Sequence, residues 1–347
     1  MAAASTPRKA KVKVTYTPKG KTPKHTSPVM AEYESGFSFT ESATGQSDSL
    51  SLKLINRDLR WANKWMPKKG DKMVAVIRAL NWDKAGQEKD TVCGKFCVDD
   101  LSLSGPELTC EIGALSVPES QAFRVTERKK TWKNVTIQEI AQKICSRYHL
   151  SLNYDAGTIR IKNLEQNGKT DSDFLRGLCD DYGLYIKVFY GRVFIYDVAK
   201  YEAKPAAATY SINDFQSWSF NTTMVGTYTG ATIAYTKGKS DSGESKEIKI
   251  TVGGGKRKLS INEKVDNEAD ARRRACAKVN EENRKAATMS VTIKANPWIC
   301  SACCIQIKDA YRLNGKYFID KVTHNVDADG AYTMDLELHR VQKKITG

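Results

Sequence analysis

The spacing of apolar residues changes twice along this chain, and those changes limit the folds open to it. Up to about Val117 apolar residues recur at every second position. From about Thr126 to Asp197 they recur at helical spacing between short strands. After about Tyr201 the two-residue alternation returns, with one long helix inside it. A chain of 347 residues has room for two or three domains, each with a real core.

In the first stretch Lys11-Val12-Lys13-Val14-Thr15-Tyr16 alternates polar with apolar, the mark of a half-buried strand. Gly20, Pro23 and Pro28 then break the chain. Phe37-Ser38-Phe39-Thr40 and the stretch from Asp48 to Ile55 alternate again across a turn-rich Ser42 to Ser47, which predicts a hairpin with one buried face. Met73 to Ile77 reads as a fully apolar strand. Thr91 to Val98, Leu101 to Leu103 and Leu108 to Ile112 read as further strands. A β-rich segment with short turns predicts a barrel or a sandwich.

The middle stretch opens on Thr136-Ile137-Gln138-Glu139, a capping-box pattern in which hydroxyl and carboxylate satisfy the first free amides of a helix. Ile137, Ile140, Ala141, Ile144 and Cys145 then mark one helical face. Leu150 to Tyr154 is a short strand. Asp171 is the expected cap of a second helix, with Phe174, Leu175, Leu178, Cys179 and Tyr182 on its apolar face and Gly183 at its end. Tyr185 to Tyr190 and Val193 to Tyr196 read as a hairpin turned by Gly191-Arg192, a Gly-x pair suited to a type II′ turn. The result is a small α+β domain.

After a linker-like Ala203 to Ala208, strands are expected at Ser217 to Phe220, Gly226 to Tyr235 and Lys246 to Val252. Gly253-Gly254-Gly255-Lys256 lacks the spaced glycines and following Ser/Thr of a phosphate-binding loop, and reads as a flexible connector. A helix is expected from about Asn267 to Ala287, with Glu268 and Asp270 at its positive end and small residues Ala271, Ala275 and Ala286 for close packing on a sheet. Strands at Met289 to Ile293, Cys304 to Ile307, Lys316 to Val322 and Tyr332 to Leu338 complete the chain.

The hydrophobic fraction of 40% and charged fraction of 27% are ordinary for a globular protein. No run of about 18 apolar residues occurs, so no membrane-spanning helix is expected. The start, Met1-Ala2-Ala3-Ala4-Ser5-Thr6-Pro7-Arg8-Lys9, is not patterned as a signal peptide, which makes a cytoplasmic origin the expectation. The net charge is +15, and Arg8, Lys9, Lys11, Lys13, Lys19, Lys21 and Lys24 supply seven of it before Met30 with no acid among them. Two further clusters are Lys256-Arg257-Lys258 and Arg272-Arg273-Arg274. A basic tail with dispersed lysines favours a solvated surface or a protein-docking arm over a nucleic-acid groove.

The nine cysteines, Cys93, Cys97, Cys110, Cys145, Cys179, Cys276, Cys300, Cys303 and Cys304, are odd in number and are expected to be reduced thiols. Cys300-x-x-Cys303-Cys304 lacks a second pair at zinc-site spacing, since Cys93 and Cys97 lie some two hundred residues earlier and His25, His149, His324 and His339 show no ligand spacing with either pair. His324 and His339 alternate with apolar residues and are expected on the polar faces of strands. Asp180-Asp181 is expected to face solvent at a helix end. Neither set has the nucleophile or second acid that catalysis needs, so no catalytic, cofactor-binding or metal-ligating residue is assigned and no enzymatic activity is expected.

Four collinear stretches resemble the phage late control gene D family of contractile-tail hub proteins. They are Phe39 to Leu52 with Arg57-Asp58, Trp61, Trp65 and Pro67 to Asp71; Trp132 to Thr136; Gln166 with Thr170 to Leu175 and Tyr182-Gly183; and Gly315 to Ile319 with Val322-Thr323-His324, Gly330 to Thr333 and Leu336 to Leu338. The resemblance implies an α+β, mostly β chain: a basic N-terminal arm and first strand over 1–30, a first tube-like β-barrel or split-barrel domain over 31–120, a small α+β insert over 126–197, and a second tube-like domain with one long helix over 205–347. It implies a homotrimeric ring that joins a six-fold tail tube to a three-fold central spike in a virion baseplate. Its partners would be the tube protein, the spike protein, other baseplate proteins and the tape measure protein, with nucleic acid only as passing cargo and no membrane. The alternative is a peptidoglycan-binding module of a tail-associated lysis apparatus. Two features depart from the family pattern: the heavy basic stretch from Arg8 to Lys24, for which docking on an acidic partner is the expectation, and the cysteines at 300, 303 and 304.

Overall fold

The computed structural model describes residues 7–20, 33–82, 84–116, 122–237, 246–263, 265 and 267–347. Their largest element is one sheet of twelve strands. From one end it runs Lys9–Thr17, Lys72–Leu80, Glu88–Ser104, Thr109–Leu115, Ser49–Ile55, Glu34–Ser42, Gly315–Asp327, Tyr332–Arg340, Ala287–Lys294 and Ser217–Thr222. Cys304–Lys308 also pairs with Gly315–Asp327 and carries Ala208–Ser211. Six of these strands precede the middle stretch of the chain and six follow it.

The seam between the halves is the antiparallel pair of Glu34–Ser42 with Gly315–Asp327, in which Phe37 faces Val326 and Phe39 faces His324. Alternation decides which side is buried. Phe37, Phe39, Leu50, Leu52 and Leu54 point inward beside Met73, Ala75, Ile77 and Ile112, and they join Ile293, Ile319, Met334 and Leu336 of the other half in one apolar cluster. The chain is thus α+β and mostly β, as expected. Its two flanking β segments share one sheet and one core, and among the described residues no pairing joins Lys9–Thr17 to Ser217–Thr222, so the sheet is not a closed barrel. Two strands expected at Thr91 to Val98 and Leu101 to Leu103 are one strand, Glu88–Ser104, carried through a register shift at Val98/Asp100. In the basic N-terminal region Lys9, Lys11 and Lys13 line the outer side of a paired strand while Ala10 and Val14 are buried. Lys21, Pro23, Lys24 and Pro28 lie outside the described residues.

The middle stretch has its own core. Thr136 accepts from the Glu139 amide while Glu139 accepts from the Thr136 amide, which closes the expected capping box at the start of the helix Ile137–Arg147. Ile137, Ile140, Ala141, Ile144 and Cys145 are all fully buried against the second helix and the strands. That second helix, Asp171–Asp181, is capped by the Thr170 hydroxyl and not by Asp171. It ends where Gly183 adopts a left-handed φ of 67°. The hairpin of Leu184–Phe189 and Arg192–Asp197 turns on Tyr190-Gly191, with φ of 51° and 75°. Two successive left-handed residues define a type I′ turn, so the expected Gly191-Arg192 turn is shifted by one residue.

A third layer belongs to the last segment. Gly230–Lys237 lies between Lys246–Gly253 and Lys258–Asn262, and the helix Glu268–Lys285, capped by Asn267, packs Ala271, Ala275 and Val279 on Ala231, Ile233 and Val252. Gly253 to Lys256 is an anchored turn, not a flexible connector: Gly254 donates to the Thr229 carbonyl at 3.0 Å, and a Cβ on Gly253 would lie 2.5 Å from that oxygen.

Candidate assembly face and the buried seams behind it

Three polar seams fix the insert and the long helix onto the twelve-stranded sheet. The first lies where the insert strand Leu184–Phe189 meets the sheet. Lys187 Nζ stands 3.4 Å from Glu41, 3.2 Å from Asp48 and 3.2 Å from the Ser301 hydroxyl. The Ser301 amide donates to Glu41 at 2.9 Å. Burial alone would raise the Glu41 carboxyl, but His324, the Lys187 ammonium and the Ser301 amide hold it down at about 2. Burial pushes Asp48 up to about 6 despite Lys187. The Thr44 hydroxyl and Ile186 exchange two further hydrogen bonds, and the Tyr196 hydroxyl donates to the Ala43 carbonyl at 2.7 Å.

The second seam centres on His339. Its Nδ1 meets Asp320 at 2.8 Å and its Nε2 meets Glu202 at 2.9 Å, and Glu202 also holds Arg284 at 2.7 Å. Burial works against the charged ring, but Asp320 and Glu202 raise His339 to about 9. Burial likewise opposes ionised Glu202, but His339 and Arg284 hold it at about 2. The signs give a test. A group raised from 6.5 to about 9 contributes about 3 kcal/mol that is present in full below about pH 6.5 and is lost as pH rises through about 9. The thermal midpoint of the wild-type protein should therefore fall more steeply than that of His339→Gln between about pH 7 and about pH 9.5. Parallel pH profiles would remove this role.

The third seam joins the insert to the long helix. Arg274 reaches Asp181 at 3.2 Å, Asp270 at 3.4 Å and the Tyr182 hydroxyl at 3.1 Å, while Lys278 reaches Asp181 at 2.9 Å and Glu263 at 3.2 Å. Asp181 thus faces the helix, where a solvent-facing residue was expected. In the Arg272-Arg273-Arg274 cluster Arg274 is consumed by this seam and Arg272 pairs with Glu268 at 2.8 Å. Arg257 of the other basic cluster donates to the Met224 carbonyl.

Both histidines expected on polar faces are buried. His324 Nδ1 pairs with the Tyr332 hydroxyl at 2.6 Å, and the ring stacks on Phe39. The partners of both rings are tyrosine and carboxylate side chains, not a serine or cysteine. The cysteines divide. Cys93, Cys110, Cys145, Cys179 and Cys304 are buried, and Cys304 Sγ rests on the Tyr201 and Glu202 carbonyls. Cys300 and Cys303 instead face each other. Among the described residues no group of three or more His, Cys, Asp or Glu side chains is placed to hold a metal, and no helix is long and apolar enough to cross a membrane.

At the surface the twelve-stranded sheet ends in an open edge. Ser217–Thr222 ends the sheet, and among the described residues only Ala287–Lys294 pairs with it. It carries Trp218, 49% exposed, and runs into Met224 and Val225, 77% and 83% exposed. An edge strand with large apolar residues beside it is a template for another chain, and a monomer would be expected to blunt it. Nothing in the periodicity of Ser217 to Phe220 distinguished an edge from an interior strand.

This is an open sheet of two six-stranded halves with an α+β insert, and a similar fold occurs in phage tail proteins and in a type VI secretion system component. The 43 kDa tail protein of prophage MuSo2 from Shewanella oneidensis is 16% identical, with a TM-score of 0.68 over 95% of this chain and 98% of that one. A tail protein from Neisseria meningitidis MC58 is 12% identical, with a TM-score of 0.68 over 95% and 96%. An Escherichia coli protein described as a component of the type VI secretion system is 13% identical, with a TM-score of 0.52 over 96% and 77%. Residues 258–339 match the YQBQ-like family model. No curated protein sequence matches the chain.

Proposed function

We propose that this protein is a structural hub of a contractile phage-like tail. Three copies form a ring that joins the six-fold tail tube to the three-fold central spike at the baseplate. The observation that carries the reading is the even division of the twelve-stranded sheet, six strands before the insert and six after it, about the seam of Glu34–Ser42 with Gly315–Asp327. A chain with two such halves, taken three times, presents six like modules to a six-fold tube while keeping three-fold symmetry toward a spike. The edge strand Ser217–Thr222, with Trp218, Met224 and Val225 exposed, is the surface on which a neighbouring chain would continue the sheet, a head-to-tail contact that closes into a ring. The likeness to tail proteins over 95% of the chain supports the same reading. The polar contacts described are absorbed in fixing the insert, which favours a structural over a catalytic role.

The test is copy number. Tail particles from the producing strain, analysed by quantitative mass spectrometry, should hold about three copies of this chain beside a far more abundant tube protein. Dozens of copies, or absence from the particle, would remove the hub reading. In that case, binding of the purified protein to peptidoglycan would favour the cell-wall alternative.

A further inference from the structure

We propose that Cys300 and Cys303 form a redox-active dithiol, a modification site that closes to an intramolecular disulfide on a turn already shaped to hold it. The two sulfurs lie 3.4 Å apart. The turn between them is closed by the Cys303 amide, which donates to the Cys300 carbonyl at 3.3 Å, and Ala302 takes a left-handed φ of 66° to complete it. It is clamped from two sides. Ala302 donates to the Ile319 carbonyl and Ile319 donates to the Cys303 carbonyl, each at 2.9 Å, while the Ser301 amide is held by Glu41. Cys300 is exposed and Cys303 is half-buried, so an oxidant reaches the pair. The adjacent Cys304 is turned away into the core, onto the Tyr201 and Glu202 carbonyls, and does not compete. The five buried cysteines have no such access.

The chemistry follows from the pairing. With the Cys300 thiol donating to it, the Cys303 thiol is lowered against the effect of burial, which makes Cys303 the readier of the two to ionise. With glutathione disulfide as oxidant, the Cys303 thiolate attacks one of its sulfurs. A Cys303–glutathione bond forms, the glutathione S–S bond breaks, and one glutathione thiolate leaves and takes up a proton. Cys300 then gives its proton to solvent and attacks Cys303 Sγ. The Cys300–Cys303 bond forms as the second glutathione thiolate leaves and is protonated. Two protein thiols are oxidised and one glutathione disulfide is reduced to two thiols. The proposal is independent of the hub reading, because it rests on the turn alone.

The whole protein should be equilibrated with reduced and oxidised glutathione at a series of ratios, quenched in acid, unfolded, alkylated with N-ethylmaleimide and digested with trypsin. The peptide spanning residues 295–308 contains Cys300, Cys303 and Cys304. As the ratio turns oxidising, the wild-type peptide should lose two of its three alkyl groups together and two hydrogens, with fragmentation placing the remaining group on Cys304. Cys300→Ser should instead accumulate a glutathione adduct on Cys303. Three alkyl groups at every ratio, a wild-type adduct that never closes, or a bridge that includes Cys304 would each overturn the proposal.

Discussion

Replacing Asp171 by alanine should loosen the insert while the twelve-stranded sheet stays intact. Asp171 is fully buried at the first turn of its helix. One carboxylate oxygen accepts from Arg128 at 3.2 Å, from Tyr148 at 2.6 Å and from Arg147, and the other accepts from Gln166 at 2.7 Å. Burial opposes the ionised form, but Gln166, Tyr148 and Arg147 together lower its pKa. One side chain thus ties the helix Asp171–Asp181 to the end of the helix Ile137–Arg147 and to both strands of the Glu127–Thr136 and Arg160–Thr170 pair. Removal leaves buried donors unanswered. Breaking a buried charged network costs about 3–5 kcal/mol. Arg128 and Arg147 are 34% and 28% exposed, so water recovers part of their solvation and places the expected loss at the lower end, about 3 kcal/mol. Asp171→Asn keeps the shape and one acceptor oxygen and should cost about half as much. Hydrogen exchange resolves the effect by region. Amides of residues 127–196 should exchange faster in Asp171→Ala, with those of Leu52, Ile112 and Leu336 unchanged. Wild-type exchange throughout the insert would sink the assignment.

The contrast between what the sequence disclosed and what it concealed is physical. Local signals were sufficient where the determinant is local: the Thr136 capping box and the left-handed Gly183 each lie within a few residues of what they control. Pairing across the chain was not readable. Alternation at Phe37 to Thr40 announces a strand with one buried face, but nothing in it names Val322 to Val326, some 285 residues away, as the neighbour. The histidines show the same limit in two forms. His324 has the parity of Val322 and Val326, both buried, so alternation did place it inward and only its polarity argued otherwise. His339 has the parity of exposed Glu337, and it is buried because the insert and the segment after it cover the other face of the sheet there, packing Tyr185, Tyr196 and Val198 around Phe318, its cross-strand partner. No pattern within Leu336 to Arg340 carries that information. Asp171 was misread for a third reason. Thr170, Asp171, Ser172 and Asp173 are four adjacent cap-type residues, and which one caps is decided by the backbone turn, leaving the next free for the interior.

The Lys187→Met variant should be destabilised by about 3–5 kcal/mol near neutral pH, and its deficit should shrink as pH falls. Methionine matches the length of the lysine stem, so the volume of the stem is largely kept, and what is lost is the ammonium with its contacts to Glu41, Asp48, the Ser301 hydroxyl and the Phe189 ring. Glu41 and Asp48 then share a pocket in which their own side chains are only 12% and 0% exposed, with no positive charge from the insert. Two carboxylates held together without a cation cannot both stay ionised cheaply, so the folded-state pKa of one rises well above its unfolded value. The sign follows from that shift. A carboxyl with a raised folded pKa favours the folded state below its unfolded value, and that contribution is lost as pH rises through the folded value. In the wild-type protein Asp48 already stands at about 6 with Lys187 present, so removing the ammonium moves the loss to higher pH and deepens it. The gap in thermal midpoint between wild type and Lys187→Met should therefore be largest near about pH 8 and narrow toward about pH 5. A combined Lys187→Met, Glu41→Gln, Asp48→Asn protein should recover most of the loss, because neutral amides remove the uncompensated charge. A pH-independent gap, or no recovery in the combined variant, would show that Lys187 acts through packing and not as the cation that anchors the insert to the sheet.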